Sequence, residues 1–95
     1  MEVRSSPGPQ VVRVRITERG FVPDRLTLSV GRPVRLEFLR ESGVPGCRVS
    51  VPGLTPGSLS VPMGRAAPLE FIPRRPGVYF YECEGSGARG YLTVR

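Results

Sequence analysis

Gly77-Val-Tyr-Phe-Tyr-Glu-Cys83, a short loop, and Gly90-Tyr-Leu-Thr-Val94 end the chain, and reading them decides the fold. Arg75-Pro-Gly77 is a turn signal just ahead of the first run. β-Branched and aromatic residues then fill it, as they do pleated, half-buried strands. Alternation with period two puts Tyr79, Tyr81 and Cys83 on one face of that strand. Glu82 and Glu84 flank Cys83 and point away from it. Glu84 to Arg89 is a Gly-rich loop, and the final strand begins at Gly90.

The same period runs outward through the rest of the sequence. Val12-Arg-Val-Arg-Ile16 faces Val12, Val14 and Ile16 one way and Arg13 and Arg15 the other. Gly20 to Asp24, with Pro23 inside it, predicts a turn. Leu26, Leu28 and Val30 mark a second strand, ended by Gly31-Arg-Pro33. Val34, Leu36 and Phe38 alternate inward on a third. After a loop from Glu41 to Gly46, Cys47, Val49 and Val51 share a face, so Cys47 is expected to point into the fold. Leu59 and Val61, then Leu69 and Phe71, complete the set. No window holds helical spacing, and Pro interrupts most candidates. Seven or eight short strands separated by turn signals predict a β-sandwich or small barrel. Residues 1–10, rich in Ser, Pro and Gly, read as a flexible lead-in, and residues 11–95 as one domain.

Composition narrows the functional classes. A chain of 95 residues with 39% hydrophobic content builds one small core. No apolar run approaches the roughly 20 residues of a membrane span. The start has no apolar signal region, which predicts a cytoplasmic location as written, or a periplasmic one if a leader precedes it in the cell. Every cation is Arg, giving a net charge of +6, and 11 Pro with 12 Gly suit a GC-rich, thermophilic source. The charge favours acidic partners or nucleic acid. However, the Arg residues are spread along the chain and several alternate with apolar neighbours, which is the pattern of a solvated strand face. Tyr79-Phe80-Tyr81 would stack bases only if exposed beside Arg. Alternation sets Tyr79 and Tyr81 on one face, and a buried Tyr needs only a partner for its hydroxyl.

The chain has two cysteines, Cys47 and Cys83, and no histidine. A blue copper centre takes two imidazoles and a thiolate, so that chemistry is excluded by donor count. Ser-His-Asp catalysis is excluded on the same ground. Gly85-Ser-Gly87 is too short for a phosphate loop, and no helix start follows it. No carboxylate pair suggests acid–base work, so the chain reads as no enzyme. Three states remain open for Cys47 and Cys83: a disulfide, a two-ligand metal clip, or two free thiols. Met63, the only internal thioether, reads as an ordinary loop Met.

The blocks Gly20-Phe-Val-Pro-Asp24, Leu26-Thr-Leu-Ser-Val-Gly31-Arg-Pro33 and Val34-Arg-Leu-Glu-Phe-Leu-Arg40-Glu41, followed by the Cys83 strand and the strand from Gly90, resemble cupredoxins over roughly residues 11–95. The likeness is to the cupredoxin-like domains associated with bacterial metal transport, including copper-exporting ATPases and periplasmic iron uptake. It implies a Greek-key β-sandwich of seven to eight strands. It also implies that Cys83 stands where the copper thiolate belongs and Cys47 where an upstream ligand belongs. The loop departs from the family: Gly85 and Gly87 stand where thioethers are expected. In this fold the ligands of the two strands meet at one end of the sandwich. Two sulfurs that share a metal at ~2.3 Å each are at most ~4.6 Å apart, close enough for a small movement to bond them. The resemblance therefore implies copper handling through a Cys47/Cys83 clip for Cu(I), or a disulfide, with a metal-transport or redox protein as partner. A metal-free interaction module is the alternative. A basic barrel for single-stranded nucleic acid is the weaker one.

Overall fold

Alternation becomes two facing sheets in the computed structural model, which describes residues 9–95. Nine strands form among the described residues: β1 (Gln10–Thr17), β2 (Gly20–Val22), β3 (Arg25–Leu28), β4 (Val34–Arg40), β5 (Cys47–Ser50), β6 (Leu59–Val61), β7 (Ala67–Phe71), β8 (Gly77–Cys83) and β9 (Arg89–Val94). One sheet has the order β2-β1-β4-β7 and the other β3-β9-β8-β5-β6. β1 runs parallel to β4 and β3 parallel to β9; the other pairs are antiparallel. The all-β sandwich expected from the sequence is what forms. The lead-in falls mostly outside the described residues, and β1 opens at Gln10.

Nine strands replace the expected seven or eight because a strand forms from Gly20 where the sequence predicts a turn. The turn lies at Glu18 and Arg19, and Gly20–Val22 pairs back onto β1 through Arg15↔Val22, Ile16↔Phe21 and Thr17↔Gly20. Gly20 enters that strand at φ +116°, which a residue with a Cβ rarely adopts. At the other end of this region β3 stops at Leu28. Val30 belongs to the following turn, where its N–H donates to Arg95 O at 3.2 Å. The side chain of Gln10 closes that region. Its amide donates to Ser29 O and Arg32 O and accepts from Ser29 N.

The inward faces form one core. Val14, Ile16, Leu36 and Phe38 come from the first sheet, and Val49, Tyr81, Leu92 and Val94 from the second; all are almost fully buried. At its centre Phe21, Phe38 and Tyr81 meet edge to face, with centroids 4.8–6.1 Å apart. The Tyr81 hydroxyl donates to Pro23 O at 2.7 Å, so the one polar atom of that buried ring is satisfied. Burial, with the Asp24 carboxylate adding to it, pushes the Tyr81 phenol well above its ordinary range and keeps it neutral.

The outer face of the first sheet accounts for much of the Arg alternation. Register sets Arg13 opposite Glu37 and Arg35 opposite Glu70. Their side chains pair at 3.2 and 2.7 Å, and Arg35 also reaches Glu37 at 2.8 Å. The Arg35 hydrogen bond, then that of Arg13, holds Glu37 below the usual carboxylate range. Arg15 pairs with Glu41 at 2.7 Å. These residues are a solvated strand face, as alternation implied.

A β-carbon at Gly90 would overlap the ring of Tyr81, its partner across β8 and β9. Gly90→Ala is therefore expected to cost about 1–3 kcal/mol through overpacking, with Tyr81 displaced. Urea unfolding measures it; an unchanged midpoint would show that the ring does not depend on this close approach.

Candidate functional site

The ends of two neighbouring strands place the cysteines. β5 begins at Cys47 and β8 ends at Cys83. The pairing Val49↔Cys83 puts Cys47 two residues along the strand from Cys83's partner, on the same inward face. Their Cα atoms are 5.4 Å apart and the sulfurs are joined as a disulfide. Both residues are nearly buried, Cys47 at 8% and Cys83 at 5% of full exposure. A sequence separation of 36 makes the bridge worth about 3–4 kcal/mol in the chain-entropy model.

The two partners are held differently. Cys83 is fixed at the turn into β9: its N–H donates to Ala88 O at 3.2 Å, and its carbonyl accepts from Ser86 N and Ser86 Oγ, both at 3.3 Å. Cys47 follows the loop of residues 41–46 and pairs with Val61 of β6. Arg40 ties that side together. Its Nε donates to Val61 O at 3.1 Å and its Nη1 to Val44 O at 2.7 Å. Sequence reasoning placed Arg40 in a family pattern but gave it no task; its position just before the loop was the available signal.

A groove of about 330 Å³ opens beside the disulfide. It runs between residues 44–46 and residues 86–88, with Ile16 and both cysteines lining it. Sequence reading missed this groove, because pairing of β1 with β4 and of β5 with β8 assembles it from segments far apart in the chain.

The other residues considered do not join the site. Met63 is 55% exposed, bridges to Arg40 through the backbone, and does not line the groove. Glu82 pairs with Arg89 at 3.2 Å and Glu84 is exposed, so neither carboxylate turns toward the sulfurs. Gly85 and Gly87 have φ of +89° and +79°, left-handed backbone that a methionine rarely takes. In this loop conformation those positions suit glycine, not the thioether ligands expected of the family pattern. Tyr81 is buried, Tyr79 is half-buried with its hydroxyl on Arg75 O, and Phe80 lies under the Arg89 guanidinium at 4.2 Å.

Among the described residues no three His, Cys, Asp or Glu side chains gather as a metal cage. What the site offers is two soft sulfur donors from rigid strands, interconvertible between thiols and a disulfide.

Two sheets in this order, with cysteines at this end, define a cupredoxin-type sandwich. The chain belongs to the cupredoxin-like domain family, which it matches over residues 2–94. Its fold is similar to that of a copper-binding protein solved in its apo form by NMR (TM-score 0.82, 24% identity, covering 97% of this chain and 93% of that one). It is similar also to the metal-binding domain of the Cu(I)-exporting P-type ATPase CopA of Streptococcus pneumoniae D39, solved with Cu(I) (TM-score 0.83, 20% identity, 97% and 91% covered). Auracyanin B is a further neighbour (TM-score 0.74, 22% identity, 98% and 94% covered). No curated protein matches the chain in sequence. The His and Met copper ligands of the wider family are missing from the loop after Cys83.

Cys47→Ser and Cys83→Ser are each expected to lower stability by about 3–4 kcal/mol in air, because either removes the same cross-link. With excess reductant present, the difference from the parent chain should fall to a small residue. Guanidinium unfolding under the two conditions measures it. An equal loss in both would mean that the cysteines matter as packing groups and not as a bridge.

Proposed function

We propose that this chain is a non-catalytic copper-handling protein in which Cys47 and Cys83 form a soft-metal clip when reduced and a disulfide when oxidised. The observation that carries the reading is the placement of both sulfurs in bonding contact at the end of a cupredoxin sandwich. Sulfurs that bond one another need only a small separation to share a soft cation. Two thiolates without imidazole suit Cu(I), which accepts low coordination and prefers sulfur. They do not suit a Cu(II) blue centre. When bound, the metal would act as cargo to be passed on or sequestered, with no bond-making chemistry asked of the protein.

The chain's own contribution is positional. β8 and its turn hold Cys83, and Arg40 holds the segment bearing Cys47. Ile16 and Val44, both buried, set an apolar environment beside the sulfurs. The copper-binding proteins of similar fold support copper as the metal and, through the Cu(I)-exporting ATPase among them, a metal-transport protein as the partner.

Reduced protein titrated with Cu(I) against a competing chelator should bind one Cu(I) per chain without blue colour. Cys47→Ser or Cys83→Ser should abolish the competition. No uptake by fully reduced protein would overturn the metal reading and leave a disulfide-stapled interaction module.

A further inference from the structure

The disulfide is closed to metal, so the proposed clip depends on how the bridge is opened. The groove beside it supplies an access route that the metal reading does not use. Its floor holds an S–S bond, the electrophile that a thiolate attacks. Its walls are largely apolar or bare backbone, with Val44, Pro45 and Gly46 on one side and Gly87 and Ala88 on the other; Thr17, Glu18 and Ser86 are the polar residues lining it. Glu18 is the one charged residue lining it, so no cation waits there for the carboxylates of a small anionic thiol such as glutathione. The volume admits a cysteine side chain with its adjoining backbone, not a folded surface.

We infer that this groove receives the reactive cysteine of a thioredoxin-type dithiol protein, which reduces the Cys47–Cys83 bridge by exchange at Cys47. The inference rests on the clip reading only for its consequence, the release of both thiols for metal.

Several observations select this chemistry and this sulfur. β5 and β8 remain paired without the bridge, through Val49↔Cys83, Ser50↔Glu82 and the bond from Glu84 N to Arg48 O at 2.9 Å. Opening the bond therefore leaves the sheet intact. Cys47 is the more exposed partner and follows a loop with Gly43 and Gly46 inside it, whereas Cys83 is pinned on both backbone atoms. Cys47 directly follows the 44–46 wall of the groove, so it is the sulfur an incoming chain meets, while Cys83 stays on β8.

The exchange balances in two steps. The partner's thiolate bonds to Cys47 Sγ, the Cys47–Cys83 bond breaks, and Cys83 leaves as a thiolate that takes up a proton. The partner's second thiol, deprotonated, then attacks its own sulfur in the mixed disulfide. Cys47 leaves as a thiolate and is protonated in turn. Two electrons and two protons pass from the dithiol to this protein, and the partner ends as a disulfide.

The test uses the oxidised full chain and a thioredoxin whose resolving cysteine is replaced by serine. A covalent adduct should accumulate, disappear with dithiothreitol, and map by peptide mass to Cys47. With intact thioredoxin, Gly46→Tyr should slow reduction roughly tenfold while dithiothreitol reduces both proteins within about twofold of each other. Gly46 suits this because its φ is not left-handed and an added Cβ meets nothing within 4 Å. No adduct, an adduct on Cys83, or equal slowing with both reductants would overturn the proposal. Cu(I) uptake by chemically reduced protein is scored separately, so loss of metal binding with exchange intact rejects the clip and keeps the groove.

Discussion

Tyr81 fills the space that a side chain at Gly90 would need, and the rest of the architecture depends on that approach. It locks β8 against β9 in one register, since no other residue type at position 90 leaves room for the ring. β9 carries β3 at one edge of the sheet, and Phe21 and Phe38 close on the ring from the opposite sheet. The hydroxyl reaches across to Pro23 O, tying the chain after β2 to the centre of the second sheet. Two residues beyond Tyr81 on the same face comes Cys83. The constraint that builds the core thus also aims the sulfur.

The site shows how a scaffold and its chemistry separate. The two strands that carry Cys47 and Cys83 lie side by side, with both sulfurs at one end of the sandwich. The turn after Cys83 has adopted left-handed backbone at Gly85 and Gly87, a conformation that disfavours the thioethers expected there. What that end of the sandwich holds is two sulfurs that bond each other. In the proposed clip, electron supply would govern the site as much as metal supply.

Much of this was legible in the residues. Alternation gave the inward faces of β1, β4 and β8 because a half-buried strand imposes period two on its side chains. The meeting of Cys47 and Cys83 followed from the family resemblance, not from spacing. The parallel pairing of β1 with β4 and β3 with β9 was not legible, since alternation records which face is buried and says nothing of the neighbour. β2 was hidden by Gly20 and Pro23, turn formers that here open and directly follow a run of three paired residues. The groove and the anchoring role of Arg40 were likewise out of reach, because both depend on carbonyls and walls supplied by distant segments.

The central claim is that Cys47 and Cys83 alone make the metal site. X-ray absorption at the copper edge of Cu(I)-loaded protein tests it most directly. The account predicts two sulfur scatterers in the first shell and no nitrogen or oxygen. A third sulfur, which would bring in Met63, or a shell of oxygen and nitrogen atoms would contradict it.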